Sequence, residues 1–304
     1  MEGLGGSRRS RDGAAARVVA AAAAARWTPS IVSLDDMAQR VRNASVDVPR
    51  VVLCGGDGLI HRALPHLVET EVEVAGVPVG SGNDVARAFG IDANEAVRLA
   101  TAPAGANMST TGIDVIAVTG TNGSSVALAA SVLTAGYTGR VNATANRLRF
   151  PPGSAKYTMA ALSEIGRLAP VEVRLVLTDA IGNEQQVFAG PLTMFAIGNT
   201  GYFGGGMHIC PDADATDGLL DVVALGPIGK VEFMRWLPSV FKGKHLDHDA
   251  ITTGRAAAIR IESSEPLWAD GEALDADPAE HQHAVTARPR ALRLLRPVVS
   301  RTFG

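Results

Sequence analysis

Two short glycine-rich segments are the clearest candidates for chemistry in this sequence. The first comprises Gly55, Gly56, Asp57 and Gly58, and the second comprises Gly80, Ser81, Gly82, Asn83 and Asp84. Each segment follows a short apolar run and precedes residues with helical spacing, so each lies where a strand gives way to a helix. Backbone N–H groups and the helix dipole can face an anion there, and glycine permits close approach. Together the segments predict phosphate binding, although either one alone is equally consistent with a tight turn.

The polar side chains of these segments differ in what they can bind. Ser81 and Asn83 can donate hydrogen bonds to phosphate oxygens, whereas Asp57 would repel a phosphate unless a divalent cation lies between them. Asp57 therefore favours Mg²⁺ with a nucleotide over a bare anion. For Asp84, capping of the following helix explains the residue equally well. Because the ends of adjacent parallel strands open into one crevice, the two segments together predict a site for one triphosphate.

The elements that must position these segments follow from hydrophobic periodicity. Ser33, with Asp36 three residues later, predicts the start of a helix that Pro49 ends. Strands then alternate with helices, which indicates a parallel sheet. From about residue 112 the chain changes to longer β-rich runs, with a hairpin at residues 121–123. The predicted strands are 50–54, 74–79, 171–179, 191–199, 219–225 and 256–262, and the predicted helices are 60–68, 85–89, 155–168 and 231–240.

This order of elements predicts an α/β fold class with two domains. Residues 1–105 are expected to form an N-terminal α/β nucleotide-binding domain, and residues 106–304 a larger C-terminal β-sandwich domain. The last residues of the chain can return to the first domain. The alanine-rich run near the N-terminus imitates a signal peptide, but Arg17 interrupts it, so we predict a helix there.

Composition limits the classes of function. The formal net charge of −3 gives no general attraction to polyanions, so nucleic acid is not an expected partner. Cys54 and Cys210 are too few for a disulfide framework, which favours a reducing cytoplasm. No uncharged apolar run reaches the roughly 18 residues that a membrane-spanning helix needs. A cytoplasmic protein that visits a membrane only peripherally is therefore expected.

The glycine segments belong to a longer series of motifs. The series continues with VPVGSGNDVARAFGI, NRLRFPPGSAKY, GNTGYFGGGMHICPDADATDGLLDVVAL, VFKGKH and WADGE. In this order the motifs resemble the diacylglycerol kinase catalytic-domain family, which includes sphingosine kinases and is distantly similar to NAD kinases. The resemblance covers about residues 50–297 and is closest to actinobacterial diacylglycerol kinases. One departure is the N-terminus, where GLGGSRRSRDG replaces the first strand that family members carry.

The resemblance implies an activity and its alternatives. ATP would bind at the two glycine segments, and its γ-phosphoryl group would pass to the hydroxyl of diacylglycerol to give phosphatidic acid. Mg²⁺ is the implied cofactor. Another lipid alcohol, such as a sphingoid base, and a non-catalytic lipid- or nucleotide-binding homologue remain open. A homodimer also remains open.

The resemblance further assigns roles to acidic residues. It implies that Asp270, in the late DGE motif, is the general base, and that Glu272 orients the site or binds metal. Without the resemblance, DGE in a polar loop would be a solvated turn. The implied ligands of a catalytic Mg²⁺ are Asp57, Asp84 and Asp114, and those of a structural Mg²⁺ are the Asp217 carboxylate with backbone carbonyls near Ala215 and Leu219.

A basic stretch without acidic residues suggests how a lipid substrate is reached. Residues 115–163 contain Arg140, Arg147, Arg149 and Lys156 together with several aromatic side chains. Each base near an anionic leaflet contributes about 1 kcal/mol, so this stretch predicts docking to an anionic membrane surface. An ordinary solvated face is the alternative.

Overall fold

The computed structural model describes residues 8–43, 48–102, 108–121, 123–148, 150, 155–274 and 281–297. The chain forms two compact units, one of Met1–Ile113 with Arg290–Gly304 and the other of Asp114–Pro289. The division therefore lies slightly later than the predicted boundary at residue 106, and the C-terminal residues group with the first unit.

The first unit contains a parallel sheet with helices between its strands. β1 and β2 pair in parallel from Arg50 opposite Glu73 to Gly55 opposite Pro78. The end of the last strand of the chain also pairs in parallel with β2, with Arg293 opposite Glu73. The elements are α1 (Arg8–Ala24), α2 (Leu34–Arg42), β1 (Arg50–Gly55), α3 (Asp57–Leu67), β2 (Glu73–Pro78), α4 (Asp84–Ala88) and α5 (Ala93–Thr101).

Local sequence signals explain most of these elements. Ser33 is the N-cap of α2, because its hydroxyl oxygen accepts from the Asp36 N–H at 3.1 Å, as predicted. The alanine-rich run forms α1, which confirms the predicted helix. α5 was not predicted, although Asp92 caps it by accepting from the Asn94 and Glu95 N–H groups at 2.8 Å. Among the described residues, the first strand is β1.

A buried ion pair fixes the start of the parallel sheet. Arg50 donates from Nε and Nη2 to Glu73 Oε2 at 3.1 and 2.7 Å, and the Arg50 side chain is only 4% exposed. Arg50 also donates to the carbonyl oxygens of Leu99, Ala100 and Ala102, at the end of α5. The two adjacent strands and α5 are therefore held by one guanidinium group.

The second unit is a β-sandwich with helices attached, which confirms the predicted fold class. In one sheet β13 lies between β6 and β16, and β7 pairs with β6. The other sheet has the order β12-β11-β8-β5-β14-β15. The elements are β3 (Met108–Gly120), β4 (Ser125–Ala129), β5 (Val132–Gly136), α6 (Tyr137–Arg147), α7 (Ala155–Ile165), β6 (Val171–Thr178), β7 (Glu184–Leu192), β8 (Met194–Gly198), β9 (Tyr202–Phe203), β10 (Met207–His208), β11 (Leu220–Leu225), α8 (Lys230–Val240), β12 (Ile251–Ala256), β13 (Ala258–Ser263), β14 (Trp268–Ala269), β15 (Glu272–Ala273) and β16 (Gln282–Pro297).

Inward-facing apolar residues of both sheets form the core of the sandwich. Leu133, Phe195 and Ile197 from one sheet and Leu175 and Ile261 from the other are fully buried in a single cluster. A second cluster lies on the opposite side of β8 and contains the inner faces of α7 and α8. No helix within the described residues is long and apolar enough to cross a bilayer.

One apolar run that the sequence presents as continuous is broken in the structure. The run SSVALAASVL gives β4, which pairs with β3, and then β5, which pairs with β8 in the other sheet. The break falls at Ala130 and Ser131, whose N–H groups point to a carboxylate from a distant part of the chain. This break shapes the candidate site of the second unit.

Candidate active site

The two glycine segments lie against each other at the carboxyl ends of β1 and β2. A Cβ atom added to Gly80 would lie 2.5 Å from the Gly56 Cα, and one added to Gly56 would lie 2.9 Å from the Gly80 Cα. Real side chains do not tolerate such distances, so only glycine fits at both positions. The structure thus brings both predicted segments together, and a cavity lined by Gly56, Asp57 and Asn83 adjoins them.

The first segment runs directly into α3. Gly56 is the N-cap residue and offers no side-chain acceptor to the first turn, which contains Asp57 and Gly58. The backbone N–H groups at a helix start have no partner within the helix, and the positive end of the helix dipole lies there. This end of α3 therefore has the local features of an anion site.

The second segment is shaped by Asn83. Its side-chain Oδ1 accepts from the Gly80 N–H, and its Nδ2 donates to the Gly80 carbonyl oxygen, both at 2.9 Å. Asn83 has a φ of 56°, in the left-handed region that asparagine tolerates better than most residues. Its amide thus closes the loop on itself, and because an NH₂ group has two hydrogens, the predicted bond to a phosphate stays a prediction. Ser81 is exposed within this loop and Gly82 is partly exposed.

The two acidic side chains of these segments are close together. Asp57 Oδ1 accepts from the Val85 N–H at 3.1 Å, so the cap on the first turn of α4 comes from the other segment. The N-cap position of α4 is taken by Asn83, which makes no side-chain cap bond. Asp84 is the first residue of α4, is 6% exposed, and has Arg87 Nε at 3.7 Å.

In the second unit, three backbone N–H groups hold the carboxylate of Asp270. Oδ2 accepts from Ala130 at 2.8 Å, and Oδ1 accepts from Ser131 at 2.9 Å and from Val132 at 3.2 Å. Asp270 has a φ of 50° in the tight turn between β14 and β15. An ionised carboxylate offers about four acceptor positions, so three bonds fix its orientation. Glu272 lies exposed on β15, opposite Ala269.

Asp114 is in contact with the DATDGLLD motif. Its fully buried carboxylate accepts from the Gly218 N–H at 2.6 Å, and its own N–H donates to the Ala215 carbonyl at 2.7 Å. Asp114 belongs to the second unit, whereas Asp57 and Asp84 belong to the first. The predicted grouping of these three residues around one Mg²⁺ stays a prediction.

The expected ligands of a structural Mg²⁺ have other partners. Asp217 Oδ2 pairs with Arg255, and its Oδ1 accepts from the Leu219 N–H at 2.9 Å. The Ala215 carbonyl already accepts from Asp114. The Arg255 guanidinium neutralises the Asp217 carboxylate, and the structural Mg²⁺ stays a prediction. Burial raises the pKa of the neighbouring Asp221, although Arg255 opposes this shift. Among the described residues, no group of three or more His, Cys, Asp or Glu side chains could hold a metal.

The basic stretch divides into structural and exposed members. Arg140 donates to Glu265 at 2.7 Å and to the Ala169 carbonyl at 3.0 Å, so it tethers α6 rather than facing a membrane, contrary to prediction. Arg147 is exposed in the last turn of α6. Lys156 is partly exposed and lies 5.0 Å from the Tyr157 ring centroid. Arg149 lies outside the described residues.

An exposed apolar surface that was not predicted lies beside these bases. Met159 and Leu162 on α7 are 48% and 66% exposed. On α8, Val231 and Met234 are also exposed, and the Lys230 Nζ donates to the Gly166 carbonyl just after α7 at 2.6 Å. The repeat of apolar residues at helical spacing on the outer face was the available signal.

The fold and the site are by themselves typical of one class of enzyme. A parallel sheet with paired glycine loops at its strand ends, in a chain that also forms a β-sandwich carrying an oriented carboxylate, is suited to a nucleotide-dependent kinase. Family models agree with this class. Residues 5–118 match the diacylglycerol kinase catalytic domain, and residues 131–296 match the YegS C-terminal NAD kinase beta sandwich-like domain.

Similar proteins indicate which kind of kinase this is. A protein of Mycobacterium tuberculosis named diacylglycerol kinase is 37% identical over 248 residues, covering 81% of this chain and 76% of the relative. A Pseudomonas putida protein named "Probable lipid kinase YegS-like" is 32% identical, covering 82% and 78%. The crystal structure of a diacylglycerol kinase from Bacillus anthracis has the same fold, with a TM-score of 0.65 at 20% identity over 93% and 91% of the chains. The chain belongs to the diacylglycerol kinase family of lipid kinases.

Proposed function

We propose that this protein transfers the γ-phosphoryl group of ATP to the hydroxyl of diacylglycerol and produces phosphatidic acid. The observation that carries the proposal is the backbone contact between Gly56 and Gly80 at the ends of β1 and β2. Phosphoryl transfer depends mainly on positioning and charge stabilisation, and such loops provide backbone donors for the phosphates. The name of the Mycobacterium tuberculosis relative supports diacylglycerol as the acceptor.

Mg²⁺ fits the first unit in the way that nucleotide kinases use it. Proteins commonly hold Mg²⁺ through one or two carboxylates together with substrate phosphates and waters. Asp57 and Asp84 are the two acids at the glycine loops, and the Asp57 carboxylate lies within hydrogen-bond distance of the residue that follows Asp84. When bound, the ion would neutralise charge on the transferred phosphoryl group. The protein's own task is to hold the two carboxylates and the glycine backbone in place.

Asp270 is proposed as the general base and Glu272 as a polar neighbour on the same turn. The hydroxyl proton of the acceptor becomes acidic as the bond to phosphorus forms, and a carboxylate in hydrogen-bond reach can accept it. The three N–H donors fix the Asp270 carboxylate, so little reorientation is needed when the hydroxyl arrives.

Catalysis can be tested with purified protein, labelled ATP, Mg²⁺ and mixed micelles of dioleoylglycerol. Labelled phosphatidic acid is the expected product, and the same lipid with its hydroxyl methylated serves as the matched control. Faster phosphorylation of sphingosine would replace diacylglycerol by a sphingoid base as substrate. No labelled lipid from any acceptor, with ATP binding intact, would overturn the proposal and favour a non-catalytic homologue.

We also propose that the second unit docks peripherally on an anionic membrane at the cytoplasmic side. Arg147 and Lys156 supply positive charge near Met159 and Leu162, so the surface combines exposed apolar side chains with bases. This combination is typical of helices that lie in the interface of an anionic bilayer. Arg140 is excluded from the docking set because it is paired with Glu265.

Docking can be separated from catalysis by comparing two substrates. Arg147→Gln with Lys156→Gln should raise the KM for diacylglycerol in phosphatidylglycerol vesicles and leave turnover of soluble short-chain diacylglycerol unchanged. Arg174→Gln, which removes an exposed base from β6 in the same unit, is the matched control. Equal losses on both substrates would contradict a docking role for this surface.

A further inference from the structure

Asn199 lies directly behind the turn that holds Asp270. The Asn199 side chain is fully buried after β8, and its Nδ2 donates to the carbonyl oxygens of Ala130 and Asp114, each at 2.8 Å. Its backbone N–H donates to the Ser131 carbonyl at 2.8 Å. Asn199 therefore bonds to both residues at the break between β4 and β5.

These bonds engage the same peptide groups that hold the Asp270 carboxylate. The Ala130 carbonyl and the Ser131 N–H belong to one rigid planar peptide, and the Ser131 carbonyl and the Val132 N–H belong to the next. At one edge of the first peptide the Asn199 side chain donates to the Ala130 carbonyl oxygen. At one edge of the second, the backbone N–H groups of Asn199 and Thr200 donate to the Ser131 carbonyl oxygen, at 2.8 and 3.2 Å. At the opposite edge of each peptide, the N–H group of Ser131 or of Val132 donates to Asp270 Oδ1. Fixing the carbonyl of a planar group fixes the direction of its N–H.

The chemistry of the amide agrees with this arrangement. Two carbonyl oxygens face the Asn199 side chain, so its NH₂ group must point to them, since an oxygen there would be repelled. An apolar residue of similar size could fill the same space but could donate neither bond. Burial of an amide is costly unless its bonds are made, and of the Asn199 amide it is Nδ2 that makes them, whereas the buried Oδ1 has no hydrogen-bond partner.

We propose that Asn199 is a positioning residue for Asp270: its side chain sets the Ala130–Ser131 peptide plane, whose N–H group orients the general base. The inference rests on the proposed role of Asp270. Asn199 does not touch the substrate in this scheme. It acts through the Ala130–Ser131 peptide, and removing its side-chain donor lets the carboxylate turn away from the angle that proton transfer needs. Misplacement of a reacting group by about 1 Å can cost roughly 100-fold in rate.

The principal variant is Asn199→Leu, with Asn199→Ala as a second variant if the first does not fold. We expect kcat to fall about 10- to 100-fold while the KM for ATP stays unchanged. Thr193→Val is the matched control, because Thr193 lies just before β8 and its buried hydroxyl also donates to a backbone carbonyl, that of Gly226 at 2.8 Å. It should lower the melting temperature comparably without reducing kcat.

A double variant separates positioning from general stability. In the Asp270→Asn background, Asn199→Leu should cause little further loss of kcat, because residues that act as a unit are not additive. A full additional loss there, or a kcat for Asn199→Leu that matches Thr193→Val, would overturn the inference while the role of Asp270 stands. Wild-type kcat in Asp270→Asn itself would instead refute the base assignment and the inference with it.

Discussion

Replacing Asp270 by asparagine tests the proposed chemistry with little change of shape. Asparagine has one carbonyl oxygen, which can still accept from Ser131 and Val132. Its NH₂ group then faces the Ala130 N–H, which now bonds to Asp270 Oδ2 at 2.8 Å. One buried donor loses its acceptor, which costs about 1 to 3 kcal/mol of stability. The turn itself should persist, because asparagine tolerates the left-handed conformation as well as aspartate does.

The effect on turnover should be larger than the effect on stability. Loss of a general base costs about 100- to 10,000-fold in kcat, whereas ATP bound at the first unit should keep its affinity. The assay is steady-state phosphorylation of short-chain diacylglycerol, with ATP affinity measured from the rise in melting temperature.

Asp179→Asn is the matched control for this substitution. The Asp179 carboxylate also accepts from backbone N–H groups, those of Ile181 and Asn183 at 2.9 Å, in the exposed turn between β6 and β7. It should lose stability without losing kcat. A kcat for Asp270→Asn within about threefold of the wild-type value would show that no proton passes to this carboxylate, because that is far less than the loss of a base.

Further predictions concern the first unit. Gly80→Ala should weaken ATP binding and lower the melting temperature, since its Cβ would lie 2.5 Å from the Gly56 Cα of the facing loop. Gly13→Ala, where nothing on α1 lies within contact distance of the added Cβ, should instead raise the free energy of unfolding by about 0.5 to 1 kcal/mol. Arg50→Met should lower the free energy of unfolding in urea by about 3 kcal/mol, because Glu73 Oε2 and the carbonyl oxygens at the end of α5 lose the Arg50 donors. Burial would raise the pKa of Glu73, but hydrogen bonds from Thr110 and Arg50 lower it overall. The stability that the Glu73 carboxylate contributes should therefore be present at pH 7 and be lost as the pH falls below about 4. An equal loss of stability in acid for Arg50→Met would contradict this.

The sequence predicted the elements that depend on local patterns. Strands β1 and β2, the Ser33 cap and helices α7 and α8 follow from periodicity and capping residues, which act over a few positions. The motif resemblance placed Asp270 in the site. The three N–H groups that hold it could not be predicted, because they belong to residues far away in the chain.

The errors in prediction have the same physical origin. Arg140 was assigned to a membrane face because nothing nearby in sequence could pair with it, yet Glu265 does so after folding. Asp57 was expected to face a nucleotide, and in the structure it also caps the helix after the other glycine segment. The run SSVALAASVL shows only apolar character, so its division between two sheets is visible only when the Asp270 turn is in place.

The backbone conformation at Asp270 has an evolutionary consequence. A φ of 50° favours aspartate, asparagine or glycine over glutamate and most other residues, whatever the reaction requires. The turn accepts aspartate, asparagine or glycine at this position, whereas the proposed proton acceptor must be a carboxylate. The two requirements therefore act on one codon. A single-nucleotide change from an aspartate to an asparagine codon satisfies the first and fails the second. With the proposed role of Asp270, a lineage with this turn can lose catalysis in one step and retain a folded protein.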